Sequence, residues 1–195
     1  MVDGDIFTYP YYLVNASVHA VKLLQPMTPD QNYFELQILC PGVTCAITIG
    51  IVGRDYPLSR HPGWNKEGIG YHGDDGKLFN GKSSPGRPFG PTCTDEDRMG
   101  CGIDFESSED SPNYVKVFFT KNGVQVGDFV QFKKPKSGLY PCMGMYSRGE
   151  QFQYIGRRNH LPKGGTVDFI YGISYYLRLI QLCYSCQLLY LFNPG

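Results

Sequence analysis

No sign of charge dominates this sequence of 195 residues: 18 Lys and Arg stand against 18 Asp and Glu, for a formal net charge of +0. That balance excludes the polyelectrolyte footprint of a protein that grips nucleic acid or coats an anionic membrane surface. Helical periodicity is scarce as well. No stretch before residue 170 keeps a 3.6-residue apolar repeat over three turns, which argues against a helical bundle. The opening residues Met1-Val2-Asp3-Gly4-Asp5 place two acids where a secretory leader needs a basic region and a greasy run. Secretion is therefore not expected, and the expected location is the cytoplasm, with the nucleus as the second possibility. Seven cysteines at irregular spacing make an odd set, which suits small buried thiols in a reducing compartment rather than a disulfide framework.

Catalytic signatures are missing or fail in context. A nucleophile elbow, GxSxG, is absent, and Gly144-Met145-Tyr146-Ser147-Arg148-Gly149 is one residue out. Cys183-x-x-Cys186 is half of a zinc site with no second half at a suitable spacing. Gly76-Lys77-Leu78-Phe79-Asn80-Gly81-Lys82-Ser83 matches the phosphate-loop pattern at every specified position. That pattern needs a helix to follow it, and here Pro85 and Pro88 follow instead. Gly68-Ile69-Gly70-Tyr71-His72-Gly73 matches GxGxxG but leads into an Asp-Gly turn where a dinucleotide site needs a helix. His72 and Asp74, with His61, form a remote alternative as a metal or acid/base set. The simpler reading is that Asp74 and Asp75 cap a turn and His72 is a hydrogen-bonded strand residue. No catalytic residue, cofactor or metal site is expected.

What is abundant is turn formers beside large rings: 24 Gly and 14 Pro accompany 15 Tyr, 12 Phe and one Trp. The apolar period over residues 31–156 is repeatedly two. Phe34, Leu36 and Ile38 face one way while Glu35 and Gln37 face the other, and Cys45, Ile47, Ile49 and Ile51 repeat the pattern. Met99, Cys101 and Ile103 alternate with Gly100 and Gly102, so one face packs and the other leaves room for a neighbour's ring. Asn122-Gly123 between Tyr114–Lys121 and Val124–Val126 predicts a two-residue hairpin, and Asp75-Gly76 is a second turn signal of that kind. The pattern predicts an all-β fold, most simply two antiparallel sheets face to face.

The last residues differ. Residues 170–192 are nearly hydrophobic all round and long enough to cross a bilayer at about 1.5 Å per residue. Arg178, Gln181 and Gln187 make insertion expensive, at about 2.5–3.5 kcal/mol for a central Arg. Packing on the sandwich, or a stretch of sequence not selected to fold there, is the favoured reading, and a membrane-attached adaptor is the alternative.

One set of landmarks runs through the chain in order. It comprises Gly63-Trp64, Gly68-Ile69-Gly70-Tyr71-His72-Gly73-Asp74-Asp75-Gly76-Lys77-Leu78-Phe79-Asn80-Gly81, Gly90-Pro91, and Asp97 with Gly100-Cys101-Gly102-Ile103-Asp104. Phe118-Phe119-Thr120-Lys121-Asn122-Gly123 and Leu139-Tyr140-Pro141 with Gly144-Met145 complete it. The set resembles a SPRY (B30.2-like) domain over residues 20–156, with residues 1–19 as a lead-in with room for first strands and residues 157–195 as a non-family extension. The resemblance implies a bent antiparallel β-sandwich with an atypical apolar C-terminal extension. It also implies a monomeric, non-enzymatic module that binds peptide segments of partner proteins through its loops, as an adaptor or as a substrate-recruiting part of a ubiquitin ligase.

Trp64, Tyr71 and Phe79 are then expected to be core anchors, and recognition falls to the loops, where sequence varies without unpacking the core. Arg54, Tyr56, Arg60 and His61 in one loop and Arg87 and Phe89 in the next are the expected partner-binding residues, since Arg and Tyr combine contact area with directional hydrogen bonds. If the arginines converge around Tyr56, they make a shallow basic pocket with an aromatic floor.

Overall fold

The computed structural model describes residues 2–3, 5–9, 17–81, 85–106, 113–158 and 180–181. Its strands in chain order are β1 (Val2–Asp3), β2 (Ile6–Thr8), β3 (His19–Leu23), β4 (Tyr33–Pro41), β5 (Thr48–Val52), β6 (Gly68–His72) and β7 (Lys77–Phe79). They continue with β8 (Arg87–Pro88), β9 (Arg98–Asp104), β10 (Tyr114–Lys121), β11 (Val124–Lys133), β12 (Tyr140–Met145), β13 (Glu150–Arg158) and β14 (Ile180–Gln181). They form two sheets, ordered β1-β2-β13-β4-β9-β10-β11 and β14-β3-β12-β5-β6-β7-β8. Every pairing is antiparallel, as period-two alternation with a buried face predicts. Shifts in register between Val117 and Phe119 on β10, and at Gln151/Phe152 and Tyr154/Gly156 on β13, bend the first sheet into a curved sandwich.

The core lies between the sheets. Phe34, Leu36 and Ile38 from β4, Met99, Cys101 and Ile103 from β9, and Val117 and Phe119 from β10 meet Ile49 and Ile51 from β5, Ile69 and Tyr71 from β6, Leu78 from β7 and Met143 from β12. Each fully buried side chain of this size contributes about 1.5–3 kcal/mol of burial free energy. The glycines between the core residues of β9 act as the alternation predicts. A methyl group on Gly100 would run into the Tyr33 hydroxyl, and one on Gly102 into the Phe118 ring. Tyr33 and Phe118 stack there at 5.9 Å.

The Asn122-Gly123 hairpin forms as expected, with both turn residues at positive φ (52° and 78°) and Lys121 opposite Val124. The Asp75-Gly76 turn differs from a two-residue hairpin. Four residues, Gly73 to Gly76, join β6 to β7, and among Gly73, Asp74, Asp75 and Gly76 only Gly76 has positive φ. The reason is tertiary: the backbone N–H groups of Phe89 and Gly90 both donate to the Gly76 carbonyl, and a side chain at Gly76 would strike the Gly90 carbonyl. Cys45 also departs from the alternation. It sits at φ 54° in the turn from Pro41, its N–H bonded to the Pro41 carbonyl, and the strand starts only at Thr48.

The other face of the second sheet is not open to solvent. Thr48, Gly50, Val52, Gly70, His72, Cys142 and Gly144 point away from the core, yet all are buried, because the chain between β5 and β6 folds back across them. Pro62 lies on Gly50 and Gly70, His61 on Thr48 and Gly144, and Leu58 accepts the Ala20 N–H at 2.8 Å. The fold is thus a two-layer sandwich with a third, irregular layer of loop on one sheet.

Candidate functional site: the loop layer over the second sheet

The loop at residues 53–67 is held by side chains from inside itself. Tyr56 is 5 % exposed, and its hydroxyl donates to the His61 carbonyl at 2.6 Å and accepts the Asn65 N–H at 2.9 Å. Burial pushes its phenol up to about 12, so the O–H stays available as a donor. Around it, Ala20, Val52, Tyr140 and Cys142 form a small apolar cluster separate from the main core, with Leu58 packed on it. Tyr56→Phe is expected to lower stability by about 1–2 kcal/mol, because the buried His61 carbonyl and the partly buried Asn65 N–H lose their shared partner. Urea unfolding of the two proteins at pH 7 checks this.

Beneath the loop crest two imidazoles meet. His61 pairs through Nδ1 with Thr48 Oγ1 at 2.9 Å, and its ring lies 5.2 Å from that of His72. His72 Nε2 is 3.3 Å from the Pro62 carbonyl, which only accepts, so Nε2 carries the proton. Phe79 packs on His72 at 4.2 Å. Burial pushes His72 down to about 4, and burial together with the neighbouring His72 pushes His61 well below the usual imidazole range. Both rings are therefore neutral at pH 7. Asp74 points away on the exposed turn, where Asp75 Oδ1 accepts the Lys77 N–H at 3.1 Å. The remote acid/base alternative built on His72, Asp74 and His61 thus finds its histidines buried and its carboxylate elsewhere. Among the described residues no group of three or more His, Cys, Asp or Glu is arranged to hold a metal ion.

Trp64 corrects one expectation. Tyr71 and Phe79 are buried core residues, but Trp64 is 40 % exposed and lies over the histidine pair, 4.8 Å from His61 edge-on and 6.0 Å from His72 face-on. Tyr146, also exposed, lies 6.4 Å from His61 on the adjoining turn. That turn is rigid because the buried Glu150 carboxylate receives four hydrogen bonds, from the Ala46, Tyr146 and Ser147 N–H groups and the Ser147 hydroxyl, at 2.5–2.9 Å. Nothing in the local sequence signals that these two rings face solvent. A Trp beside Gly63 reads as a core anchor until the loop's path is known.

The remaining expected residues fall at separate places. Arg54 is exposed, its Nε donating to the Tyr140 hydroxyl at 3.1 Å, and Arg60 is exposed at the loop crest beside His61. Arg87 lies on edge strand β8, its guanidinium 5.2 Å from the Phe89 ring. Phe89 is half-buried and packs edge-on against Tyr71 and Phe119. The register Ile49↔Tyr71↔Leu78↔Arg87 sets Arg87 three strands from β5, whereas Arg54 follows the end of β5 that pairs with Tyr140. Arg54 and Arg87 therefore do not converge, and Tyr56 supports the loop from beneath instead of flooring a pocket. Lys82 and Ser83 of the phosphate-loop pattern lie outside the described residues, while Lys77–Phe79 of the same pattern is strand β7. The apolar run 170–192 also lies outside them, apart from Ile180–Gln181. No helix among the described residues is long and apolar enough to cross a membrane.

Residues 31–157 match the family model of the SPRY domain. This chain belongs to the SPRY family. It is 42 % identical over 151 residues to SPRY domain-containing protein 3 of Homo sapiens, covering 77 % of this chain and 33 % of that protein. It is 34 % identical over 156 residues to the Ran-binding protein M homolog of Arabidopsis thaliana, covering 77 % of this chain and 31 % of that protein. The chain therefore spans about a third of the length of these curated relatives. A crystal structure of a human SPRY domain superposes with a TM-score of 0.72 at 40 % identity, over 79 % of this chain and 92 % of that one. The SPRY domain of human HERC1 shares the fold alone, with a TM-score of 0.53 at 19 % identity over 72 % of this chain and 83 % of that one. SPRY domains act generally as protein–protein interaction modules. In this one the motif glycines Gly63 and Gly70 serve the loop layer: a methyl group on Gly63 would strike the Phe79 carbonyl, and one on Gly70 the Pro62 carbonyl.

Proposed function

We propose that this chain is a non-enzymatic SPRY module, working as a monomer in the cytoplasm or nucleus, that binds short peptide segments of partner proteins through its loops. Its role is that of an adaptor or a substrate-recruiting scaffold related to ubiquitin ligases. The observation that carries this reading is the contrast within the 53–67 loop. Its buried polar groups are internally satisfied, while Trp64, Arg60 and the neighbouring Tyr146 are displayed outward. Rigid aromatics and arginine on a pre-organised surface supply contact area at small ordering cost. Arg54 stands at one end of the loop, and Arg87 with Phe89 extends the surface at the β8 edge.

The test is affinity capture on the intact chain beside the double variant Arg60→Glu/Arg87→Glu. Both arginines are exposed, so folding is expected to be unchanged. Hot-spot anchors contribute about 2 kcal/mol or more, so partners held by this surface are expected to fall at least tenfold. An unchanged partner set would overturn the assignment of these loops.

A further inference from the structure

We propose that the outer strand β11 pairs with β11 of a second copy of this chain, antiparallel and centred on Gln131, so that two first sheets join into one. The inference goes beyond the reading of the loops as a peptide-binding surface and does not depend on it. Among the described residues β11 bonds to β10 alone and ends the first sheet. An open strand edge is a template for another strand unless something blocks it. The first half of β11 is blocked: Gly127 stands at φ 62° beneath the Phe89 ring, and its carbonyl accepts from Gln125 Nε2 at 3.2 Å. The second half carries no such device. It runs in register with β10 from Val130↔Val117 to Lys133↔Tyr114, without glycine or proline.

The direction of its free groups follows from one bond. The Lys134 N–H donates to the Asn113 carbonyl at 2.8 Å, which makes Lys134, Phe132 and Val130 the residues that bond toward β10. Gln131 and Lys133 alternate with them and turn both N–H and C=O away from the sheet, and the Phe129 carbonyl, opposite in sense to the Val130 N–H, points the same way.

Side chains select the partner. Val130 and Phe132 belong to the core, so Gln131 and Lys133 lie on the other face with Phe129, whose ring packs edge-on against Phe118 at 5.6 Å and is 37 % exposed. Asp128, Lys133 and Lys134 are exposed, and the ion pairs among the described residues, Lys77 with Asp75 and Lys121 with Asp97, include none of them. Pairing β11 with its own copy about Gln131 sets Gln131 against Gln131, Lys133 against Phe129, Val130 against Phe132 and Asp128 against Lys134. Each cation then meets a ring or a carboxylate, and each apolar edge residue another. Gln131 exchanges both main-chain bonds with its copy, and each Lys133 N–H donates to the Phe129 carbonyl of the partner protomer. Neighbouring registers lose this fit. Centring on Val130 sets Lys133 against Gly127 and Asp128 against Phe132, and centring on Phe132 sets Lys134 against Val130.

A strand pair this short is a small interface, and interfaces under about 1,200 Å² associate weakly. The single domain therefore prevails in dilute solution and the pair at high local concentration. The loop layer lies on the second sheet, so pairing leaves it free on both protomers and presents two copies of it together.

The test is sedimentation velocity on the intact chain over a hundredfold range of concentration, with hydrogen exchange at both ends of the range. The sedimentation coefficient is expected to rise toward that of a dimer. The Gln131 and Lys133 amides are expected to gain protection only at high concentration, whereas those of Val130 and Phe132 are protected throughout. Gln131→Pro removes an N–H that points away from β10, a place where an edge strand tolerates proline, and is expected to weaken pairing at least tenfold with the fold intact. Lys134→Asp, an exposed change, is expected to weaken it at least threefold, and Asp128→Lys/Lys134→Asp to restore it. Sedimentation independent of concentration, or pairing unaltered in Gln131→Pro, would overturn the proposal. A chain that stays monomeric throughout, while Gln131→Pro loses partners in affinity capture, would mean that the edge takes a strand of another protein, and self-pairing falls while the module reading stands.

Discussion

Gly70→Val is expected to unseat the loop layer and cost the folded state about 3 kcal/mol or more. The Cβ of any side chain at Gly70 would meet the Pro62 carbonyl oxygen and carbon, which are backbone atoms and cannot rotate away. Overpacking of this kind typically costs about 1–3 kcal/mol, and a branched side chain against backbone belongs at the upper end. In a chain of this size each kcal/mol shifts Tm by about 2–4 °C, so a fall of roughly 6–12 °C is expected by calorimetry. The loop must lift to make room, carrying His61 off Thr48 and Trp64 off the histidine pair. Binding should therefore be lost even at temperatures where the variant stays folded. Gly123→Ala is the contrast, since nothing lies within 4 Å of a Cβ there and only the strain of its positive φ is incurred. Equal effects of the two changes would refute the account of Gly70 as a seat for Pro62.

Mild acid is expected to destabilise the domain through the histidine pair. Both imidazoles have folded-state pKa values below the unfolded value of 6.5, with His72 at about 4 and His61 shifted in the same direction. Between the folded and unfolded values the unfolded chain binds more protons, so this stability is fully present above pH 6.5 and is lost as pH falls toward 4. For His72 alone the loss is roughly 2 kcal/mol between pH 7 and pH 5, at 1.36 kcal/mol per unit. Asp75 and the Pro62 carbonyl favour the charged ring and Lys77 opposes it, and burial outweighs all three. Glu150 acts with the opposite sign. Burial raises its carboxyl against the pull of its four hydrogen bonds, so protonation in the window just above its usual value favours the folded state. Urea midpoints from pH 7 to pH 5 in the parent, His72→Phe and His61→Gln separate the contributions. The two variants should show a flatter profile, and an identical slope in all three would exclude the pair as the source.

The sandwich was legible in the sequence because a half-buried strand writes its geometry into alternate positions. Phe34, Leu36 and Ile38 reach the core as the alternation requires, Gly100 and Gly102 admit the rings of Tyr33 and Phe118, and Asn122-Gly123 forms its hairpin with both residues at positive φ. These features depend on neighbours two residues away or on one cross-strand partner. The loop layer does not. By alternation Thr48 and Gly50 fall on the face opposite Ile47, Ile49 and Ile51, and only the path of residues 53–67, with Pro62 and His61 pressed onto it, buries that face.

The same folding-back separates the candidate site residues from one another. It buries Tyr56 and His61 as the loop's own supports and lifts Trp64 into solvent, while strand register leaves Arg87 three strands from β5. It also brings Lys22 of β3, Tyr140 of β12 and Arg54 of the loop after β5 together from places far apart in the chain. By itself the sequence determined two antiparallel layers, their turns and the SPRY landmarks, because those are set by local periodicity and backbone preference. Which rings and charges share a surface was decided only by the tertiary structure, because that depends on where an irregular segment crosses a sheet, and no repeat in the sequence encodes the crossing.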